Sequence, residues 1–341
     1  MDKKFKVLSL DGGGVRGYLS AKILKNLEEI LNKERNEDIN IGQRFDLIVG
    51  TSTGGIIASA LSIGKSAKEI FELYETLIPD VFQPVTDGTF EPKYSNKVLK
   101  ENLEKILGNN TLATVKTDLC ITSVDVENSS PRFHKSGYFG RNTSRLNEKL
   151  VDLALATSAA PTYFPLINTI HSTNLTDGGM VANNPSLVGL IDAMQIKENK
   201  LNEISLISIG TGDQCHMPYD IDSLKNGGKI DWILDIEKHT KIAQVKDNII
   251  KGHSKWKICK DYIFSKQEKF SSKGSPLLEL LMDSQSKLAH YQTQFLLEDN
   301  YLRINPKLSI SIELDSVDKI DSLKNLADLS QPDLNKINKL I

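Results

Sequence analysis

FDLIVGTSTGGIIASALSI, residues 45–63, joins a short apolar strand to an apolar helix through a turn that has a glycine on each side. The strand is predicted over Phe45–Val49 and the helix over Thr53–Ile63, because each segment has the length and composition typical of its element. An earlier unit has the same order, with a buried strand at Phe5–Leu10, then a glycine cluster, then a helix at Tyr18–Leu31. Two strand–turn–helix units in succession favour an α/β protein.

The alternation of strands and helices continues to about residue 210. Further helices are predicted at Ser66–Ile78, Asn96–Leu107, Asn147–Ser158 and Pro185–Ile196. Further strands are predicted at Leu119–Val126, Arg132–His134 and Ile204–Ile209. Such alternation indicates a layered α/β fold with a largely parallel central sheet.

The sequence changes character beyond Gly212. A loop is predicted over Asp213–Lys229, and one strand is predicted at Leu302–Ile304. Most of the remainder is predicted to be helical, at Asp231–Ile250, Pro276–Leu297 and Val317–Leu329. We therefore expect an α/β domain over residues 1–212 and a mainly helical extension over residues 213–341 that packs on it.

Composition and charge exclude several classes of protein. The chain has 341 residues, of which 39% are hydrophobic and 25% are charged, and its formal net charge is −2. With no overall basic field, a nucleic-acid polymer is not an expected partner. The cysteines Cys120, Cys215 and Cys259 have no CxxC spacing, so neither a disulfide framework nor a zinc site is indicated.

The expected location is the cytoplasm. MDKKFKVLSL at the N-terminus runs directly into the glycine cluster, and we interpret it as a first strand and not as a signal peptide. No run approaches the ~18 apolar residues that a membrane span needs. Any contact with a membrane is therefore expected to be peripheral.

Gly50-Thr51-Ser52-Thr53-Gly54 has the G-x-S-x-G pattern of a nucleophile elbow, and it lies between a predicted strand and a predicted helix. The turn is so sharp that the flanking Gly50 and Gly54 are needed to avoid steric clash. It would present the Ser52 hydroxyl at the positive end of the helix, which stabilises a developing negative charge. The alternative interpretation is that Ser52 only caps the helix, since serine is a favoured N-cap residue.

A second glycine cluster, Asp11-Gly12-Gly13-Gly14-Val15-Arg16-Gly17, follows the first strand. Consecutive glycines let the backbone approach a ligand and turn its N–H groups toward it. We interpret the cluster as an oxyanion hole, in which the amides of Gly13, Gly14 and Thr53 hold the oxygen of a tetrahedral intermediate. The alternative is a dinucleotide site, because Gly12–Gly17 also match G-x-G-x-x-G; however, no carboxylate follows the second strand to bind a ribose.

Thr176-Asp177-Gly178-Gly179 is the third segment with candidate chemistry, although an isolated D-G-G is usually a turn. A serine triad would also need a histidine base. The chain has six histidines, but none lies in a glycine-flanked turn after a strand, and His239 and His290 fall within helical patterns. The residues by themselves therefore identify no triad histidine.

Taken together, these segments resemble the patatin-like phospholipase family. DGGGVRG, GTSTG and DGG occur in the order of the family's motifs. ALATSAAPTYFP (Ala154–Pro165) is similar to the family's segment ahead of the catalytic aspartate, and DGGMVANNP (Asp177–Pro185) resembles its aspartate loop. The resemblance covers residues 5–210. It implies the three-layer α/β/α patatin-like fold for that part of the chain.

The resemblance implies a Ser–Asp dyad that works without a histidine, a metal or a cofactor. Ser52 matches the nucleophile, and Asp177 matches the base. The family's oxyanion loop is matched by Gly12, Gly13 and Gly14. Arg16 matches the family's arginine, in a structural or phosphate-facing role, and Gly178 is expected to support the aspartate.

The resemblance also implies a substrate. Members of the family cleave acyl chains from phospholipids, galactolipids and lysolipids, so we expect a phospholipid or lysolipid substrate at a membrane surface. Leu77–Phe82, an apolar segment that contains Pro79, is interpreted as part of an acyl groove, as a lid at the membrane surface or as ordinary core. Two rival functions stay open: a soluble carboxylesterase or acyltransferase with the same dyad, and a non-catalytic lipid-binding protein.

Control of the activity is a further expectation. A cytosolic phospholipase without restraint would damage the membranes of its own cell. Some bacterial members of the family are effectors that cyclic nucleotides activate in antiviral defence, so a cyclic nucleotide activator is one hypothesis for this chain. Residues 213–341 are the natural place for a regulatory surface or for a contact between subunits of an oligomer.

Overall fold

The computed structural model describes residues 4–86, 88, 90–140, 143–214, 221–225, 227, 232, 276–329 and 334–341. Within them the strands are β1 (Phe5–Leu10), β2 (Leu47–Gly50), β3 (Asp118–Asp125), β4 (Ser130–Lys135), β5 (Leu175–Asp177), β6 (Ile204–Ile209), β7 (Asp213–Gln214), β8 (Tyr301–Ile304) and β9 (Lys307–Leu308). The α-helices are α1 (Gly17–Arg35), α2 (Thr53–Ser62), α3 (Ala67–Val81), α4 (Lys97–Leu107), α5 (Leu150–Thr157), α6 (Gly179–Ala182), α7 (Ser186–Ile196), α8 (Ile221–Lys225), α9 (Pro276–Leu297), α10 (Ile320–Leu329) and α11 (Leu334–Leu340).

Seven of the strands form one sheet, in the order β4-β3-β2-β1-β6-β8, and β5 pairs with β3. The pairs β1–β2, β1–β6, β2–β3 and β6–β8 are parallel, whereas β4 and β5 run antiparallel to β3. Strands β7 and β9 form a separate two-stranded sheet. The prediction of a mostly parallel central sheet is confirmed.

Helices cover both faces of this sheet. Side chains along a strand point to alternate faces, and both sets of strand side chains pack against helices. In β1, Leu8 and Leu10 belong to a large buried cluster with side chains of α1 to α5, α10 and α11. Val7 of β1, with Leu47 and Val49 of β2, belongs to a smaller cluster with side chains of α7 and α9. The three-layer α/β/α architecture is therefore confirmed.

The C-terminal residues contribute to the central sheet as well as covering it. The strand predicted at Leu302–Ile304 is present as β8, and it pairs with β6. Its Arg303 forms a two-point salt bridge with Asp11, with 2.8 Å between Arg303 Nη1 and Asp11 Oδ1. Helix α9 packs on α6 and α7. The division of the chain at residue 212 stays a prediction.

Local sequence patterns missed the shortest elements. Strand β5 has three residues, and β7 and β9 have two each. These segments are too short to show the alternation of apolar and polar residues that predicts a strand. Asp213–Lys229, predicted to be a loop, contains β7 and α8, which is a correction to that prediction. The helix predicted over Asp231–Ile250 lies outside the described residues, apart from Trp232.

The end of helix α3 differs from the sequence-based prediction. Helix α3 continues past its predicted end at Ile78 to Val81, with Pro79 inside its last turn. Proline lacks the N–H that would continue the hydrogen-bond ladder, and the helix ends two residues later. In the part of the chain that the structure describes, no helix is both long enough and apolar enough to cross a bilayer.

The register of the sheet brings the three glycine motifs to one edge. Leu10, the last residue of β1, pairs with Gly50, the last residue of β2. The carboxyl ends of neighbouring parallel strands lie at the same edge of a sheet, where α/β proteins commonly bind ligands. Asp177 ends β5 and pairs with Ser123 of β3, so the aspartate motif reaches this edge by way of β3.

Candidate active site

Ser52 occupies the sharp turn between β2 and α2. Its backbone has φ 54° and ψ −125°, a conformation that residues other than glycine seldom adopt and that stores strain. A Cβ on Gly50 would lie 2.4 Å from the carbonyl oxygen of Gly54, and a Cβ on Gly54 would lie 2.3 Å from that of Leu10. Only glycine therefore fits on either side of the serine turn.

The Ser52 hydroxyl donates a hydrogen bond of 2.7 Å to Asp177 Oδ2, which joins two residues 125 positions apart in the chain. The other carboxylate oxygen, Oδ1, accepts the backbone N–H of Gly179 at 2.6 Å. Asp177 is 3% exposed. Burial raises its pKa from 3.8 to about 7, although both hydrogen bonds act in the opposite direction. A carboxyl group with a pKa near neutrality is suited to act as a general base.

Two neighbouring residues hold the serine and the aspartate in place. Thr157 Oγ1 accepts the backbone N–H of Ser52 at 2.8 Å. Gly178 donates its N–H to the Thr157 carbonyl at 3.3 Å, and a Cβ on Gly178 would lie 2.1 Å from Thr122 Oγ1. Gly178 was predicted from its place in the aspartate motif, whereas Thr157 was not predicted. The signal for Thr157 was its place in the ALATSAAP segment that carries part of the family resemblance.

Three backbone amides beside the serine have no acceptor among the described residues, namely those of Gly13, Gly14 and Thr53. Gly14 and Thr53 line the same cavity as Ser52. The amide of Gly12, which the resemblance also places in the oxyanion loop, donates instead to the carbonyl of Asn183 at 2.9 Å. A Cβ on Gly12 would lie 3.2 Å from Ser52 Cβ, so Gly12 lets the loop approach the serine and supplies no donor.

Ser52 and Asp177 line the same mainly apolar cavity. Its wall includes Ile56, Tyr74, Leu77, Ile78, Val81, Phe82, Leu99, Tyr163, Phe164, Met282 and Leu314. The Leu77–Phe82 segment therefore packs in the core and also lines the cavity. This lining is suited to an apolar ligand.

Arg16 faces a different cavity. It is 5% exposed, and its Nε donates a long hydrogen bond of 3.4 Å to the Gly13 carbonyl. The polar cavity that it lines, together with Asp283, does not include Ser52 or Asp177. Burial lowers the pKa of Arg16, and the carboxylate of Asp283 acts against that shift. Arg16 therefore contacts the glycine loop from outside the serine cavity.

No histidine in the described part of the chain hydrogen-bonds to Ser52 or Asp177. His134 Nε2 lies 2.8 Å from Ser123 Oγ, in the core beside β3. The other two described histidines bind elsewhere: His171 contacts Asn147, and His290 contacts Tyr301. His216, His239 and His253 lie outside the described residues.

The C-terminal region supplies two cavity residues that sequence analysis did not identify. Met282 of α9 lies over the aspartate turn, and a Cβ on Gly179 would be 2.9 Å from its Cε. Leu314 lies against the glycine loop, and its carbonyl oxygen accepts the Val15 N–H at 2.8 Å. The apolar period predicted the helix that carries Met282, but nothing local shows which helix face meets a site more than 100 residues away in the chain.

Comparison with known proteins places the site within a family. The sequence model described as "Patatin-like phospholipase" matches residues 8–188. That range contains the glycine loop, the serine turn and the aspartate turn. It ends before α9 and Leu314, so those two contributions to the cavity lie outside the matched range.

Individual relatives come from bacteria and plants. A "cGAMP-activated phospholipase" of Escherichia coli strain TW11681 is 36% identical, and the match covers 61% of this chain and 62% of that protein. A protein of the same name from Vibrio cholerae is 33% identical over 62% of this chain and 65% of its own length. "Patatin-like protein 4" of Arabidopsis thaliana is 28% identical over 94% of this chain and 82% of its own. The chain thus spans slightly less than two thirds of the two bacterial relatives.

Proposed function

The chain belongs to the patatin-like phospholipase family, and we propose that it is a lipid acyl hydrolase in which Ser52 and Asp177 form a catalytic dyad. The observation that carries this proposal is the 2.7 Å hydrogen bond between the Ser52 hydroxyl and the buried Asp177 carboxylate. The apolar cavity beside the pair supports an acyl ester of a phospholipid or lysolipid as the substrate.

In the first half-reaction, Ser52 Oγ attacks the ester carbonyl carbon while Asp177 Oδ2 takes the hydroxyl proton. The negative charge moves to the carbonyl oxygen, where the amides of Gly13, Gly14 and Thr53 would donate to it. One such donor is typically worth about 3 kcal/mol in the transition state. The intermediate then expels the alcohol or lysolipid, which takes the proton from Asp177, and the acyl group stays on Ser52.

In the second half-reaction, water attacks the acyl-enzyme and gives its proton to Asp177. The second tetrahedral intermediate collapses, releases the fatty acid and returns the proton from Asp177 to Ser52 Oγ. The N-terminus of α2 points its partial positive charge at the serine throughout. The same group thus acts as general base and then as general acid, which its pKa near neutrality suits.

We expect the activity to depend on pH through Asp177. Only the ionised carboxylate accepts the serine proton, and burial raises the pKa of Asp177 to about 7. The kcat/KM of a soluble acyl ester should therefore rise about tenfold per pH unit below that pKa and level off above it. Measuring kcat/KM between pH 5 and 9 checks this. A flat profile over that range would contradict the role of Asp177 as base.

The proposed substrate class is tested by mass spectrometry of the lipids released from phospholipid vesicles, with Ser52→Ala as the control. Fatty acid and lysolipid should form only with the intact serine. Turnover of dispersed short-chain esters without vesicle hydrolysis would favour a soluble carboxylesterase. The absence of any covalent labelling of Ser52 by a fluorophosphonate would favour a non-catalytic lipid-binding protein.

Activation by a cyclic nucleotide is a second part of the proposal. It is supported by the two bacterial relatives whose names state activation by cGAMP. We expect hydrolysis of vesicles to increase about 5- to 150-fold when the activator binds, which is the range that a typical allosteric coupling of 1–3 kcal/mol allows. Hydrolysis is measured with cGAMP, with other cyclic dinucleotides and with cyclic mononucleotides. Equal rates with and without every compound would rule out this form of control.

A further inference from the structure

A short segment near the C-terminus, Ile312–Asp315, crosses the glycine loop, and we call it the strap. The strap reaches the loop through a main-chain contact, in which the Leu314 carbonyl oxygen accepts the Val15 N–H at 2.8 Å. The contact is close, because a Cβ on Gly14 would lie 2.1 Å from that same oxygen. Gly14 has φ +57°, so its backbone is held in a region that glycine adopts easily.

This contact fixes the peptide next to the unengaged amides of the loop. Val15 N–H is bound by the strap, whereas the amides just before it, those of Gly13 and Gly14, have no acceptor among the described residues. The Arg16 N–H donates to the Gly13 carbonyl at 3.1 Å, which closes a tight turn over the same residues. The Gly14 amide shares its peptide plane with this Gly13 carbonyl, and the Gly13 amide shares its plane with the Gly12 carbonyl, which accepts Thr211 Oγ1 at 2.9 Å. The strap holds the next plane along the chain, which joins Gly14 to Val15.

The strap is anchored at both ends by side chains. At its start, the Ile312 N–H donates to Gln214 Oε1 at 3.0 Å. At its end, Asp315 Oδ2 accepts from Lys93 Nζ and from Tyr94 Oη, both at 2.6 Å. Burial is the main cause that raises the pKa of Tyr94, and its hydrogen bond to Asp315 adds to the shift, so this hydroxyl keeps its proton and stays a donor.

The Asp315 anchor also reaches the wall of the serine cavity. The Lys93 N–H donates to the Thr162 carbonyl at 3.0 Å, and the Tyr94 N–H donates to the Tyr163 carbonyl at 2.8 Å. The rings of Tyr94 and Tyr163 stack with their centroids 6.2 Å apart. Main-chain hydrogen bonds therefore hold Lys93 and Tyr94 against the cavity wall, and the Asp315 carboxylate links the strap to these two residues.

We propose that Asp315 is a positioning residue for the oxyanion hole, acting through the strap and the Leu314 carbonyl to hold Gly14 and its amide toward the reacting oxygen. This inference rests on the proposed acyl hydrolase function. Asp315 hydrogen-bonds to Lys93 and Tyr94 and does not line the serine cavity. Its effect should therefore fall on the stabilisation of the tetrahedral intermediate, and so on kcat more than on KM.

The chain offers a matched control on the other face of the sheet. Asp192 of α7 accepts from Lys135 Nζ at 2.7 Å and from Tyr138 Oη at 2.6 Å, so it has the same set of partners as Asp315. Both aspartates are largely buried as side chains. Asp192 has no contact with the strap or the glycine loop in the bonds that the structure describes. Removing it should cost similar stability without moving the oxyanion donors.

The experiment compares Asp315→Ala and Tyr94→Phe with Asp192→Ala and Tyr138→Phe in the full chain, using a soluble acyl ester. A misplacement of about 1 Å in a catalytic group can cost about a hundredfold in rate, so we expect kcat to fall at least about tenfold in the first pair. The KM should change less than about threefold, because the cavity wall is kept. The Asp192 and Tyr138 variants should keep kcat within about twofold at a comparable loss of Tm.

Amide hydrogen exchange over residues 11–17 gives a readout that needs no turnover. Asp315→Ala should speed the exchange of the Val15 amide, and Asp192→Ala should leave it unchanged. Unchanged kcat and unchanged Val15 exchange in the Asp315 and Tyr94 variants would overturn the inference, as would an equal loss of kcat in the control pair. Failure of the proposed function itself has a different signature, namely a wild-type chain without Ser52-dependent turnover.

Discussion

Ser52→Ala is expected to lower ester turnover by at least about 10⁴-fold while leaving the fold intact. The substitution removes the only atom that forms the acyl-enzyme bond in the proposed mechanism, and the remaining amides and cavity can only bind the substrate. Alanine tolerates the φ of 54° at this position no worse than serine does, so the turn should keep its geometry. Product release from phospholipid vesicles, followed by mass spectrometry, measures the effect.

The matched control for this variant is Ser59→Ala in the same helix. Ser59 is buried and donates its hydroxyl to the Gly55 carbonyl at 2.8 Å, a bond within α2. The Ser59→Ala variant should lose about 1 kcal/mol or less of the free energy of unfolding and keep its turnover within about twofold of the wild type. If Ser52→Ala retains more than about one hundredth of the wild-type rate, the serine is not the nucleophile and the proposed mechanism is wrong.

Asp177→Asn is expected to lower kcat by about 10³-fold or more. The amide keeps the shape of the carboxyl group, its oxygen can still accept the Gly179 N–H, and its NH2 group can donate to Ser52 Oγ, but it cannot take the serine proton. The pH dependence near neutrality should disappear together with the rate. Measuring kcat/KM of the variant from pH 5 to 9 with a soluble ester tests both parts. A residual activity that still titrates with an apparent pKa near 7 would mean that another group is the base.

The same substitution should raise the stability of the protein above neutral pH. Folding raises the pKa of Asp177 from 3.8 to about 7, so the folded chain binds this proton more tightly than the unfolded chain does. Between these two values the folded chain holds a proton that the unfolded chain has released. The contribution of Asp177 to stability therefore falls as the pH rises through that window, by up to about 4 kcal/mol, and stays low above it.

We accordingly expect Asp177→Asn to melt at a higher temperature than the wild type at pH 8, by about 2 °C or more, with a smaller difference at pH 4. Asp192→Asn is the control. It replaces a carboxylate that is paired with Lys135 by a neutral amide, so it should lower the Tm at pH 8. Thermal melts of the three proteins at both pH values provide the measurement. A lower Tm for Asp177→Asn at pH 8 would contradict a costly buried charge at position 177.

Much of the layered fold could be read from the sequence because its signals are local. The strands at Phe5–Leu10 and Ile204–Ile209 are apolar runs long enough to recognise, and the structure has them with the same bounds. The serine turn was recognisable for the same reason, since strand, glycine, serine and helix follow each other within 19 residues. Strand β5 was missed because a segment of three residues contains too few side chains to show a period.

The pairing of Ser52 with Asp177 could not be predicted from local sequence patterns. Ser52 and Asp177 are separated by 125 residues, and only the family resemblance linked them before the structure placed them 2.7 Å apart. Which amides of the glycine loop have an acceptor also depends on residues far away in the chain. Gly12 and Gly13 are adjacent and chemically identical, yet the carbonyl of Asn183 engages the Gly12 amide and no described residue engages that of Gly13.

The amino-acid sequence alone determined the strand–turn–helix units, the glycine-flanked serine and the absence of a recognisable triad histidine, because each depends on residues that are close along the chain. The tertiary structure decided which carboxylate meets the serine, which amides stay unengaged, that Arg16 faces another cavity, and that the strap crosses the glycine loop. Those outcomes depend on the pairing of strands and the packing of distant segments. Burial likewise depends on the whole fold, and it is burial that brings the pKa of Asp177 to about 7.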